Sequence, residues 1–266
     1  MFTTRLVSGI ILVILALVLV TTGGGVLFAA VAAISLIGMF ELYRVMKLEK
    51  TPLAAVGYLA AALYYGFVWF EKEDLMMLMA AAFVMVLMAI YVFTFPKYKT
   101  EEITITFFGV FYVAVMLSYL FLVRRAADGV YLVWLVFLSS WGCDTCAYCA
   151  GMLFGRHKLA PVLSPKKSIE GAIGGMVGAA LLGAFYGAVF GTHMEEVGNP
   201  VIACCAACAI AAVISQIGDL AASAIKRNHQ VKDYGTLIPG HGGILDRFDS
   251  MMFTAPAIYF VILFLR

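Results

Sequence analysis

Charge is scarce in this chain. Of its 266 residues, 13% are Asp, Glu, Lys or Arg and 64% are hydrophobic, whereas a soluble domain carries roughly 25% and 45–50%. That shortage excludes an ordinary soluble globular protein. No internal repeat, soluble domain or low-complexity linker interrupts the apolar pattern. The net charge of +2 says little about partners, and no nucleic-acid partner is expected. A secretory cleavage site is also missing. The apolar run after Arg5 continues to Val20 and ends in TTGGG, longer than the roughly 7–15 residues of a signal-peptide core, so it reads as a first span. The six cysteines lack the His or acidic partners that would complete a chelate. Cys143, Cys146 and Cys149 form one small-residue stripe on a helix, suited to packing between spans.

What is present is long apolar sequence. Windows of about 20 residues predict nine spans, near 5–21, 25–46, 53–70, 75–95, 104–123, 130–152, 169–190, 200–225 and 249–265. The expected fold is an all-α integral membrane protein, a polytopic bundle of about nine transmembrane helices. With the N-terminus in the cytoplasm, the inside segments hold fourteen Lys and Arg residues. The outside segments hold four, Lys72, Arg124, Arg125 and Arg266. That bias sets the orientation, with Arg124–Arg125 a local violation. The loops after spans six and eight then share the cytoplasmic face. Residues 1–125 are expected to form a lipid-facing or oligomerising bundle, and 126–266 a catalytic bundle with two cytoplasmic loops. Span seven carries Gly171, Gly174, Gly175, Gly178, Gly183 and Gly187, a pattern for close helix–helix approach that also permits a homodimer.

The scarce charges are concentrated. Between Ser223 and Asp249 lie Lys226, Arg227, Lys232, Arg247, Asp233, Asp246 and Asp249, with two histidines and four glycines. A dense mixed-sign loop between apolar spans suits a highly charged ligand such as a metal–nucleotide. Two acids interrupt spans, Asp144 in line with Ser140 and Tyr148, and Asp219 in line with Ser215, Ser223 and Lys226. An acid inside a span is a functional candidate by default, the bland reading being a structural partner for a nearby Lys or Arg. Asp246 and Asp249, three apart, share a helical face. With Asp219 they offer the oxygen ligands Mg²⁺ takes alongside substrate phosphates, though Asp249 also suits a helix cap. Pro239, Gly240, Gly242 and Gly243 keep side chains clear, so backbone N–H groups can approach an anion; a plain flexible turn would read the same, and His241 suits either a phosphate or a hydrogen bond within the loop.

The other cytoplasmic loop holds Arg156, Lys158, Lys166 and Lys167, which suit phosphates or an anchor to anionic membrane lipids. Ser164-Pro165 and Ser168 read as helix-start signals, with Glu170 in an acidic first turn. Carboxylates, a glycine turn and two basic loops at one membrane face point to metal-assisted transfer at phosphorus, with a lipid as one reactant.

Ser223-x-x-Lys226-Arg227, Lys232-Asp233-x-Gly235 and Ile238-Pro239-x-His241-Gly242-Gly243-x-x-Asp246-Arg247-x-Asp249 together resemble the signature of the CDP-diacylglycerol synthase (phosphatidate cytidylyltransferase) family. Asp144-x-x-Ala147-Tyr148-x-x-Gly151, Gly155 and Ser164-Pro165-Lys166-Lys167-Ser168-x-Glu170-Gly171 are similar to it too. Ser168 stands where the family commonly has threonine and keeps the hydroxyl; Met152 stands where a basic residue is frequent. The motif-level resemblance covers about the C-terminal half. It implies a nucleotidyltransferase of phospholipid biosynthesis, in the bacterial inner (plasma) membrane with its active site on the cytoplasmic side. Such an enzyme joins CTP to phosphatidic acid and releases CDP-diacylglycerol and pyrophosphate. It further implies Mg²⁺, with a second cation possible, held by Asp219 and Asp246, with Asp249 and Asp144 next. Lys167, Lys226 and Arg247 would neutralise the phosphates, and Ser164, Lys166, Ser223, Lys232, His241, Gly242 and Gly243 would complete the substrate site. Related CTP-dependent enzymes, an ether-lipid cytidylyltransferase or a polyprenol kinase, are the alternatives. A secondary transporter using Asp144 and Asp219 is disfavoured by the missing inverted repeat and by acids near the span ends.

Overall fold

The computed structural model describes the backbone of residues 2–265 and the side chains of 6–264; the Arg5 side chain and Arg266, both counted in the charge bias, lie outside the described residues. The described residues form nine long helices: α1 (Phe2–Thr22), α2 (Gly24–Val45), α3 (Pro52–Trp69), α4 (Met76–Phe93), α5 (Thr100–Arg125), α6 (Gly129–Phe154), α7 (Ile169–Phe190), α8 (Pro200–Asn228) and α9 (Leu245–Leu265). Eight helices are long and apolar enough to cross a membrane, and α1 adds the apolar stretch Leu6–Thr22. The chain is an all-α polytopic membrane protein, because in hydrocarbon only a helix satisfies each backbone group within its own segment.

Small residues set the packing around the site. Side chains at Gly174 and Gly178 of α7 would overlap Ala150 and Cys146 of α6, and one at Gly183 would strike the Cys204 carbonyl of α8. The glycines therefore bring α7 against two helices at backbone range. Cys143 and Cys146 sit in that seam as small packing groups. Buried hydroxyls join the N-terminal helices. Ser35 meets Tyr65 at 2.6 Å and Tyr64 meets Ser118 at 2.8 Å, while the Tyr43 hydroxyl donates to Thr106 O at 2.8 Å.

Three local features differ from the sequence expectation. α9 starts at Leu245, four residues before the expected 249, so Asp246 and Asp249 both fall inside its first two turns. Ser164-Pro165 does not start a helix. Residues Ser164–Ser168 form a strand, β2, antiparallel to β1 (Lys158–Ala160), and the helix begins one residue after Ser168. Ser168 is the cap, its Oγ accepting the Gly171 N–H at 3.1 Å, which satisfies a free donor of the first turn. Finally, α5 and α6 each widen into a π-helical turn, at Val110–Val115 and Leu138–Gly142. Such turns rotate the side chains beyond them and recur at functional sites.

The Arg124–Arg125 pair lies at the end of the bundle away from the motif. Arg124 Nε donates to Val20 O at the C-terminus of α1 at 2.9 Å. Arg125 donates to Val68 O of α3 at 2.9 Å and pairs with Glu73 at 2.9 Å. Helix C-termini attract cations, which is why two arginines stand on the face the charge bias leaves poor in them.

Candidate active site

The site assembles where the first turns of α9, the last turns of α8, the β-hairpin and the middle of α6 meet. Asp246 is a buried carboxylate with every oxygen engaged. Its Oδ1 takes Lys226 Nζ at 2.8 Å. Its Oδ2 accepts the Tyr234 N–H at 2.7 Å and the Gly243 N–H at 2.9 Å. Lys226 also lies over the Tyr234 ring, 5.3 Å from its centroid. Tyr234 is itself 1% exposed and donates from its hydroxyl to Ala222 O at 3.1 Å. Burial pushes its phenol well above the ordinary value, so it stays a donor. Gly242 has φ +87° and a side chain there would press on Asp246, so the turn needs glycine.

Asp219 lies about two turns before Lys226 on α8 and pairs with Lys167 of β2. The two pairs differ in access: the Lys226 and Asp246 side chains are 11% and 1% exposed, those of Lys167 and Asp219 28% and 26%. Asp144, just past the π turn of α6, lies in the fields of Lys167, Asp219 and Arg247. Asp249 lies in those of Asp219, Lys226 and Arg247. Arg247 Nε is buried with no hydrogen-bond partner among the described residues.

Asp144, Asp246, Arg247 and Asp249 close the polar end of a cavity of about 320 Å³. Its wall is aliphatic, with Val13 and Ala16 of α1 and Leu27 and Val31 of α2 among the lining residues. Ser140 also lines it, whereas Tyr148, expected on the same face, is 70% exposed elsewhere. His241 lines it too and meets Ser8 of α1 at 2.8 Å, while Ser8 donates to Pro239 O at 3.1 Å. Ser223 and Ser164 are half-buried, while Lys166 is exposed on β2 and Lys232 is exposed on the loop after α8.

The structure brings Asp144, Asp219 and Asp249 into one electrostatic neighbourhood with Lys167, Lys226 and Arg247. Asp219, Asp246 and Asp249 are not gathered as one ligand set: among the described residues no group of three or more His, Cys, Asp or Glu side chains has metal-holding spacing. Asp246 instead spends both oxygens on Lys226 and the loop backbone. The turn's anion-binding N–H groups are likewise occupied by the protein's own carboxylates. Gly243 N–H goes to Asp246, and the N–H groups of Ile244 and Leu245 go to Glu41 of α2 at 3.0 and 2.8 Å.

The sequence profile of the cytidylyltransferase family matches residues 3–265. The chain belongs to this family. Among the family's relatives, the phosphatidate cytidylyltransferase of Bacillus subtilis (strain 168) is 30% identical, over 97% of this chain and 96% of its own length. That of Staphylococcus aureus (strain COL) is 32% identical over 96% of each chain, and that of Staphylococcus haemolyticus (strain JCSC1435) 30% over 96% of each. The family match thus runs through the N-terminal helices, where the sequence offered hydropathy alone. Those helices supply site residues that the motif omits. Besides Glu41, Arg44 of α2 donates to Tyr234 O at 2.8 Å. An acid in an apolar span was the available signal for Glu41.

Proposed function

We propose that this family member transfers the cytidylyl group of CTP to phosphatidic acid, giving CDP-diacylglycerol and pyrophosphate. The observation that carries the reading is an amphipathic cavity: an aliphatic wall ends in three carboxylates and Arg247, with Lys167 and Lys226 acting on the same acids. A lipid bearing a phosphate would fit such a cavity with a divalent cation offsetting the carboxylates, its chain against α1 and α2 and its headgroup near Arg247.

The nucleophile is a phosphate oxygen of the lipid. A phosphate monoester has its second pKa near 6, so the oxygen is anionic at neutral pH and needs no strong base. It attacks the α-phosphorus of CTP; the bond from that phosphorus to the bridging oxygen breaks, and pyrophosphate leaves with the electron pair. The obstacle is repulsion between two polyanions, which fixed cations relieve where charge develops. Lys167 reaches the site from a partly exposed hairpin and can exchange Asp219 for a phosphate, and the unpartnered Arg247 Nε has a free donor to offer.

Asp219 and Asp249, with Asp144 in the same electrostatic neighbourhood, would be the carboxylates to hold Mg²⁺. Two carboxylates suffice for an ion that takes its other ligands from phosphates and water. When bound, the ion would neutralise phosphate charge. Asp246, with both oxygens engaged, would steady the loop from behind. The charge bias supports a cytoplasmic site, the side on which CTP is found.

The test uses purified protein, phosphatidate and CTP labelled at the α-phosphorus. Label should enter the lipid with release of an equal amount of pyrophosphate, stop on chelation and return with Mg²⁺. Label confined to free CDP, with phosphate added to lipid, would instead indicate kinase chemistry and overturn the reading.

A further inference from the structure

Glu41 is a buried acid outside the motif. It lies on α2, 3% exposed, and forms no ion pair among the described residues. Its Oε1 accepts the Ile244 N–H at 3.0 Å and its Oε2 the Leu245 N–H at 2.8 Å. Those are free donors at the start of α9, at the helix end that attracts negative charge. The loop is cut to receive this carboxylate: a side chain at Gly235 or at Gly243 would overlap it. Arg44, nearly one turn further along α2, holds the same loop through Tyr234 O. Packing alone does not call for such a residue, since a buried carboxylate costs several kcal/mol unless it is fully satisfied. The segment it secures is the one whose first two turns carry Asp246, Arg247 and Asp249.

We propose that Glu41 is a positioning residue for the transfer. By capping α9 from another helix it sets the height and rotation at which Arg247 and Asp249 face the cavity. It also fills the anion site that an open helix N-terminus would present, keeping substrate phosphates in the cavity rather than at the loop. The kinetic part of this inference rests on the cytidylyl-transfer reading; the clamp itself does not.

The experiment compares wild type, Glu41→Gln, Glu41→Ala, Gly243→Ala and the Glu41→Ala/Gly243→Ala double variant in detergent. Hydrogen exchange across 235–250 should accelerate in both Glu41 variants. Because Glu41 does not line the cavity, kcat should fall about tenfold or more while KM for CTP moves less than about threefold. Gly243→Ala should be costly in the wild type, where its new methyl meets the carboxylate. It should add little to Glu41→Ala, where that space is free, a coupling that a double-mutant cycle reads. Unchanged exchange in Glu41→Gln, kcat within about threefold of wild type despite faster exchange, or additive effects of Glu41→Ala and Gly243→Ala would overturn the proposal. A wild type that turns over no CTP speaks against the transfer reading, and exchange then decides the clamp by itself.

Discussion

Asp246 belongs to the motif and Asp219 lies four residues before it, and the two stand in different surroundings. Asp246 is enclosed, with one cation and two backbone donors on its oxygens. Removing one partner of such a pair strands the other charge, at about 3–5 kcal/mol. Lys226→Ala is therefore expected to lower the thermal midpoint in detergent sharply as well as the activity. Asp219 holds one partly solvated lysine, and exposed pairs contribute only about 0–1 kcal/mol. Asp219→Asn should leave the midpoint within about 2 °C of wild type and reduce turnover at least about a hundredfold. A large loss of midpoint in Asp219→Asn would reverse this assignment. The acids Asp144, Asp219, Asp246 and Asp249 were legible in the sequence because charge in an apolar run is conspicuous. Which of them is tied to the loop backbone was not, since that depends on Tyr234 and Gly243 folding back onto one of the four. Glu41 was conspicuous in the same way, but its partners were not legible, since they lie 203 and 204 residues away.

At the scale of elements, the β-hairpin shows how local signals mislead. Ser164-Pro165 and Ser168 both carry helix-start chemistry, and only the second is used. Strands of three and five residues with exposed lysines show no alternation to read, and an isolated hairpin is marginal in water. Here it is tied down. Ile169 N–H donates to His157 O at 2.9 Å, and the Glu170 carboxylate accepts the backbone N–H of Arg156 at 3.1 Å and meets His157 Nδ1 at 2.6 Å. Ser168→Ala should cost about 1 kcal/mol of cap energy and loosen Lys167, lowering turnover by more than stability. Ser168→Thr, which keeps the hydroxyl, should restore both in the same thermal and pyrophosphate assays. The glycine-rich α7 is the opposite case. Its small residues announced close packing, and the structure uses them against α6 and α8.

Over the whole molecule, the charge bias predicts which end of the bundle faces the cytoplasm. A cysteine at Lys232 should react with an impermeant maleimide only from the cytoplasmic side, and one at Lys72 only from the other; the reverse would invert the topology. The nine helices were readable because each is apolar, and eight of them are long and apolar enough to cross a membrane; no motif was readable in the first half. Its contribution is made through contacts: Ser8, Glu41 and Arg44 reach the motif loop, and α1 and α2 wall the cavity. One of these contacts bears on how the protein is made. During synthesis Glu41 enters the bilayer long before Ile244 and Leu245 leave the ribosome. Throughout that interval its carboxylate has no amide to bind and must stay protonated, wet or shielded by insertion machinery. A chain cut short before α9 never supplies those two amides, so its Glu41 carboxylate stays without the partners that satisfy it in the finished molecule.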